Sequence, residues 1–332
     1  MDPELSIVLV NWNTKKKLAA CLSSLRRYSP VEGWEMIVVD NASSDGSVEM
    51  VQQDFPDVKL MVSPENEGFA RGNNRGLREA RGEHLLLLNS DTEVSSRSLQ
   101  SLLVHLRKHQ DVDVVGGRLV LPGGATQRSA STHITLHWIR CEQLMLDKLF
   151  ARTRQYGGHF YLPKDYLKPF QVDVLSGACL LFRRSVLERV GSLDERFFMY
   201  CEDADWCRRV ALAGGKLMYV PGPAIKHHLG GSSTSVRGDL VAAYNWSKCY
   251  YLSKYEGRAA AFRARLLCLE GALLRLGLHS MRALIRRQKL SDSPAVELWR
   301  DVFAKTSAID PNLLPEPVQI LSPSGAPVGP MA

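Results

Sequence analysis

Through its first 109 residues the chain alternates without exception between short apolar runs and stretches of helical spacing. "SIVLVNW" (Ser6 to Trp12), "EMIVVD" (Glu35 to Asp40), "VKLMV" (Val58 to Val62) and "HLLLLN" (His84 to Asn89) are the near-continuous apolar runs of strands buried on both faces of a parallel sheet. The spacing between and after them predicts helices from Lys15 to Arg27, Ser47 to Gln53, Phe69 to Arg81 and Ser98 to His109. Parallel strands joined through helices make right-handed crossovers, so the pattern implies an α/β fold with a doubly wound, mostly parallel sheet flanked by helices. Such a sheet binds its ligand beyond the carboxyl ends of its strands. The runs end in polar residues that should share that edge: Asn11 and Asn13, then Asp40 and Asn41, then Asn89, Ser90 and Asp91.

With 332 residues, 45% of them hydrophobic, the chain can bury a large core and carry an appendage. Its formal charge of +7 favours anionic partners without choosing among nucleic acid, phosphorylated metabolites and membrane surfaces. Seven scattered cysteines with no C-x-x-C spacing argue against a zinc site or a disulfide framework and for a reducing compartment. The start, "MDPELSIVLVNW", lacks a secretory signal, and no apolar run is long enough to span a bilayer. The expected location is cytoplasmic, with peripheral contact at the inner face of the cell membrane left open.

Arg118 to Pro169, Gly-rich and aromatic, reads as surface connection. A second ordered block follows, in which "CLLF" and "LMYV" are strand-like and "RSVLERVG" and "EDADWCRRVALAGG" are helices ended by Gly191 and Gly214. From residue 240 to 309 the chain is basic and helical, with Phe262, Leu266, Leu269, Leu273 and Leu276 at helical spacing. Membrane contact and helix packing explain that pattern equally well. The Pro-, Ser- and Gly-rich residues 310–332 are expected to be disordered.

Asp91 lies just past a buried strand, and Ser95 or Ser96 is better placed to cap the next helix. A hard divalent cation, Mg2+ or Mn2+, accounts better for a carboxylate there, because such ions take carboxylate oxygens and keep positions open for substrate phosphates. Neither G-x-G-x-x-G after the first strand nor G-x-x-x-x-G-K-[ST] occurs, so the glycine cradles of dinucleotide and ATP sites are missing. "YCEDADW" sets Glu202, Asp203 and Asp205 at a helix start among aromatics. One or two acids there serve the helix terminus, and another, partly desolvated, suits a general base. An imidazole of His227 or His228 is a candidate to complete a metal shell.

Taken together, these motifs resemble the family 2 inverting nucleotide-sugar glycosyltransferases of the GT-A fold, in particular their bacterial rhamnosyltransferase-like subset, over about Leu5 to Ser235. "SIVLVNWNT", "VVDNASSDGS", "NEGFARGNNRGLREARGEHLLLLNSDTEV", "LDERFFMYCEDADWCRRVALAGG" and "HHLGGSS" carry the resemblance in order. It implies a catalytic domain over 1–239, with a nucleotide-sugar half to about 117 and an acceptor half after it. It implies donor binding by Asn11, Asn13, Asp40, Asn41, Asn66, Gly68, Phe69, Asn73, Asn89, Ser90 and Asp91. Gly72 would join Gly68 in letting the backbone approach the donor. The metal falls to Asp91 and His227, with His228 as the alternative, since Asn89 stands where the family's metal motif has its first Asp. Asp203 is implied as the base beside Glu202, and Ser176, Gly177, Ala178 and Trp206 as the acceptor face. The expected reaction moves a sugar, at best guess L-rhamnose from dTDP-rhamnose, to a saccharide or lipid-linked saccharide in cell-surface polysaccharide synthesis. A nucleotide-sugar-binding regulatory or scaffold protein is the alternative. Nucleic-acid binding ranks below both, because the basic residues sit beside leucines rather than interleaved aromatics.

Overall fold

The computed structural model describes residues 2–28, 33–229 and 237–315, with backbone alone at 163 and 164. In chain order the elements are β1 (Leu5–Asn11), α1 (Lys15–Arg27), β2 (Trp34–Asp40), α2 (Ser47–Asp54), β3 (Lys59–Val62), α3 (Gly68–Glu79), β4 (His84–Leu88), β5 (Thr92–Glu93), α4 (Ser98–Lys108), β6 (Val114–Val120) and β7 (Ala130–Ser131). Then come α5 (Leu136–Gln143), α6 (Leu146–Leu149), β8 (Phe170–Gln171), β9 (Val174–Leu175), β10 (Cys179–Arg183), α7 (Arg184–Val190), α8 (Glu202–Leu212) and β11 (Leu217–His227). The last helices are α9 (Arg237–Glu256), α10 (Arg258–Ile285) and α11 (Pro294–Ser307). The chain divides into two compact units. One takes in Met1–His133, Phe160–Phe198 and Glu202–Ser232; the other Ile134–His159, Met199–Cys201 and Ser233–Ala332.

The first unit is built on one sheet in the order β3-β2-β1-β4-β10-β6-β11-β5, with β8 beside β11. Strands β1 to β4 are parallel, as their apolar runs and helical connections require. Leu5, Ile7 and Leu9 of β1 pack with Leu18, Leu22 and Leu25 of α1, Met50 and Val51 of α2, and Leu99, Leu102 and Leu103 of α4 in one apolar core. The alternate β1 residues face α3, where glycines replace side chains: a Cβ at Gly72 would lie 2.8 Å from Val10 Cγ1, and one at Gly76 2.3 Å from Val8 Cγ1. Helices thus cover both faces, the doubly wound arrangement. The sheet is mostly parallel; β10 is inserted antiparallel between β4 and β6.

Two features escape periodicity. The strand β6 contains Gly116 and Gly117, residues that weaken a strand signal in sequence; a Cβ at Gly116 would lie 2.5 Å from the Leu175 side chain, so the close packing there favours glycine. Strand β11 runs on through Pro221 and Pro223, with an irregularity between Val220 and Ile225 that lets prolines sit in a strand.

The second unit is helical. Its helices include α5, in a stretch expected to be surface connection; Trp138, Ile139 and Cys141 are buried there, an apolar face masked in sequence by flanking glycines and aromatics. Helix α9 buries Lys248, whose Nζ donates to Glu142 Oε2 at 2.8 Å, and Asn245, which donates to Thr306 Oγ1 at 3.0 Å. Within the expected disordered tail, Pro311–Leu313 form a single 3-10 turn with Asp310 accepting from Asn312 N, and residues 316–332 lie outside the described residues. All seven cysteines are buried and free.

Candidate active site

The carboxyl ends of β1, β2 and β4 deliver the polar residues expected of them. Asn11 pairs in register with Asp40, and its Nδ2 donates to Asp40 Oδ2 at 2.9 Å and to Ser43 Oγ at 3.1 Å. Asp40 is buried, and its Oδ1 accepts from Ser43 N at 2.8 Å, so it shapes the loop after β2. Asn13 Oδ1 accepts from Ser44 N at 2.8 Å. Thr14 donates its single hydroxyl proton to Asn11 Oδ1 at 2.6 Å, which makes Ser90 the donor in the 3.2 Å Thr14–Ser90 bond that ties the β1 end to the β4 end.

Three other expected donor-binding residues serve the loop before α3 and the helix itself. Asn41 Nδ2 donates to Gly68 O at 2.8 Å, Asn66 Oδ1 accepts from Gly68 N at 3.0 Å, and Asn73 Nδ2 donates to Phe69 O at 2.9 Å. Gly68 has φ +84°, and a Cβ there would lie 2.3 Å from Phe198 O. The space at Gly68 and Gly72 is therefore taken by the protein's own Phe198 and Val10, which is a different reason for glycine from the donor approach expected.

Topology explains how Asp91 reaches His227. The short β5 that follows Asp91 pairs antiparallel with the last residues of β11, Glu93 with Lys226 and Thr92 with His227. His227 Nε2 then lies 3.0 Å from Asp91 Oδ1 and 3.2 Å from Asn89 Nδ2, while its Nδ1 lies 2.8 Å from Gln127 Oε1. Gln127, in the Gly-rich loop, had no spacing signal in the sequence. Its amide oxygen fixes the proton on Nδ1 and leaves the Nε2 lone pair to accept from Asn89. That tautomer sets the Nε2 lone pair against the Asp91 carboxylate. Protonating Nε2 satisfies Asp91 and instead opposes the Asn89 N–H.

A cation held here would resolve the conflict. Among the described residues Asn89 Oδ1 is buried without a partner, a spare oxygen beside the carboxylate and imidazole. The 3.0 Å between Asp91 Oδ1 and His227 Nε2 matches the separation of adjacent octahedral ligands, each about 2.1 Å from a magnesium-sized ion. Among the described residues no three His, Cys, Asp or Glu side chains gather at one point. The donor set is one carboxylate, one imidazole and one amide, which suits an ion that keeps positions for phosphate oxygens. Burial works against the Asp91 charge, but His227, when it carries a proton on Nε2 to donate, and the Lys17 ammonium 3.7 Å away hold the carboxyl below its usual range. Lys17, on the first turn of α1, is a second residue that sequence reasoning missed. His228 turns elsewhere: it bonds Glu93, and that bond holds Glu93 below its usual range. Gly230 to Ser233 of "HHLGGSS" lie outside the described residues.

Because β10 runs antiparallel beside β4, the residues before it, Ser176, Gly177 and Ala178, arrive at this same edge. Ala178 O accepts from Asn89 N at 3.1 Å, and Gly177 N donates to Asp203 Oδ2 at 2.9 Å. Ser176 Oγ accepts from Ala178 N at 3.3 Å. A Cβ at Gly177 would meet Phe69 at 3.2 Å and Asp203 Cβ at 3.7 Å, so Phe69, Gly177 and Asp203 form one close group.

The acids at the start of α8 separate by environment. Asp205 is buried against Arg209 Nε at 3.0 Å, a structural pair. Burial raises Asp203, partly offset by the Gly177 and Ala204 N–H bonds, and its side chain keeps some solvent access. Burial, with Asp203 beside it, raises Glu202 well above the usual range, and Glu202 Oε2 has no hydrogen-bond partner among the described residues. Just ahead of them Tyr200 and Cys201 have φ of 70° and 66°, consecutive left-handed residues that redirect the chain into α8. Trp206, expected at the acceptor face, is 1% exposed, donates to Gly191 O at 2.9 Å and packs on Phe182. It belongs to the core.

Comparison with known proteins identifies relatives of the chain. The chain is 28% identical over 314 residues to N-acetylglucosaminyl-diphospho-decaprenol L-rhamnosyltransferase of Mycobacterium tuberculosis, covering 90% of this chain and 99% of that protein. It is 30% identical to the low-salt glycan biosynthesis hexosyltransferase Agl10 of Haloferax volcanii over 63% of this chain and 62% of that protein. Two solved structures share the GT-A fold. GalNAc-T7 with UDP, GalNAc and Mn2+ has a TM-score of 0.54 at 18% identity over 78% of this chain and 51% of that one. The mannosyltransferase PcManGT of Pyrobaculum calidifontis, in complex with GDP-Man and Mn2+, has a TM-score of 0.53 at 15% identity over 93% and 88%. Residues 6–191 match the family described as glycosyl transferase family 2, and the chain, a glycosyltransferase, belongs to that family.

Proposed function

We propose that the chain is an inverting, metal-dependent transferase that moves a hexosyl group, L-rhamnose from dTDP-rhamnose, to a saccharide or lipid-linked saccharide acceptor in cell-surface polysaccharide synthesis. The observation that carries this reading is the run of bonds from Asp203 through Gly177 and Ala178 to Asn89, and on to His227 and Asp91. It holds a half-buried carboxylate and an unsatisfied donor set on one sheet edge. The rhamnosyl preference rests on the Mycobacterium relative's name and on the length over which the two chains match.

Asp203 takes the proton of an acceptor hydroxyl as that oxygen attacks the anomeric carbon, and the nucleoside diphosphate leaves from the opposite side with inversion. Glu202, buried and holding its proton more firmly, is auxiliary rather than the base. Asp91, His227 and the Asn89 oxygen would hold a Mg2+ or Mn2+ ion, which when bound supplies positive charge to the leaving diphosphate. Asn11, Asn13, Asp40 and Ser90 shape the nucleotide side, and Ser176, Gly177 and Phe69 the sugar and acceptor side. The nucleotide sugar is drawn from the cytoplasm.

Asp203→Asn tests the base. Transfer should fall by about 10²–10⁴-fold, the range for loss of a general base, while calorimetric binding of the nucleoside diphosphate stays within a few-fold of the unaltered chain. Transfer at the unaltered rate would contradict the assignment.

A further inference from the structure

Helix α10 packs by the wrong face for an ordinary surface helix. Its buried residues are small: Ala260, Ala261, Ala264, Cys268, Gly271 and Ala272. At Gly271 a Cβ would overlap Gln143 of α5, so the close approach on that side depends on small residues. The large apolar residues point the other way. Phe262 is 48% exposed, Leu266 41%, Leu273 50%, Met281 54%, Leu284 63% and Ile285 75%. At 100° per residue the first five fall within about one third of the helix circumference, opposite the alanines. A solvated helix should be polar on that side, and a contiguous apolar strip of this kind marks a binding surface.

We propose that this outward face of α10 docks on an anionic phospholipid bilayer. The charge around the strip selects the occupant. From Arg258 to Lys289 there are eight Arg or Lys residues and one acid, Glu270. Arg263, Arg287 and Lys289 are exposed; Arg263 borders the apolar strip near its start and Arg287 and Lys289 follow its end, so cations sit at both ends of it. Two copies of the helix laid face to face would bring these cations together with little acid to neutralise them. A sheet of lipid phosphates neutralises them, while the leucines enter the boundary between headgroups and acyl chains. No described helix is long and apolar enough to cross a membrane, so α10 lies along the surface. The surface is read from α10 alone and stands whichever sugar the site transfers.

The test is flotation of the full-length protein with vesicles of mixed phosphatidylglycerol and phosphatidylcholine, and with phosphatidylcholine alone. The protein should float with the anionic vesicles and not with the neutral ones, and high salt should release it. Leu273→Glu combined with Leu284→Glu, and separately Arg263→Glu with Arg287→Glu and Lys289→Glu, should each weaken partitioning by about tenfold or more. Circular dichroism should stay unchanged, because these side chains are exposed. Leu273→Gln, a milder change, should give an intermediate loss. Three results would overturn the proposal: no flotation, equal flotation of all forms, or a dimer in light scattering that Leu273→Glu dissociates while lipid binding is absent.

Discussion

Glu202 is 5% exposed with one oxygen unpartnered among the described residues, whereas its neighbour Asp203 receives two backbone N–H bonds, and this contrast governs how the site responds to pH. In the folded chain Glu202 holds its proton to a higher pH than in the unfolded chain, where its value is about 4.3. Between those two values the native state binds the extra proton, so the stability it contributes is lost as pH rises through the window. Glu202→Gln should remove that loss. Chemical denaturation should show the variant more stable than the unaltered chain at about pH 8, by about 1.4 kcal/mol for each unit of raised pKa, and nearly equal to it at about pH 4. A variant less stable at the higher pH would mean the carboxylate is held ionised. At this scale the sequence announced the acids and histidines but not their partners. Asp91 is visible as a carboxylate past a buried run; Gln127 and Lys17 are not, because strand pairing between β5 and β11 and the turn into α1 bring them in from distant positions.

Among the elements, α1 to α4 and β1 to β4 were legible because each carries its own period, and their observed ends differ little from those the spacing implies. The direction of β10 was not, since a five-residue apolar strand reads the same either way along the chain. It is this antiparallel insertion that brings Ser176–Gly177–Ala178 to the edge where Asn89 and Asp203 meet it. Helix α3 shows a packing requirement hidden in a loop-like string of glycines. A methyl at Gly76 would sit 2.3 Å from Val8 and 3.4 Å from Val39. Gly76→Ala should therefore destabilise the protein by about 1–3 kcal/mol, the usual cost of overpacking, despite the better helix propensity of alanine. Thermal denaturation measures it, and an unchanged or higher midpoint would show that the β1 face can yield.

For the whole molecule, the sequence pattern showed an α/β part and a basic helical part, but not that residues 134–159 join the helical unit. Their pull is polar as well as apolar: Glu142 of α5 pairs with Lys248, which is 0% exposed, and Arg275 of α10 donates to Gln143 O at 2.8 Å. Removing one partner strands a buried charge, so Glu142→Ala should cost about 3 kcal/mol, read as a lower unfolding midpoint in scanning calorimetry. An unaltered midpoint would mean that water reaches Lys248. The most direct test of the catalytic reading is calorimetric titration of the purified chain with thymidine diphosphate, with Mn2+ and with the metal chelated, repeated on Asp91→Ala. The account predicts binding that needs Mn2+ and weakens by about 10-fold or more in the variant, the loss of a charged metal ligand. Binding that survives both chelation and Asp91→Ala would contradict it.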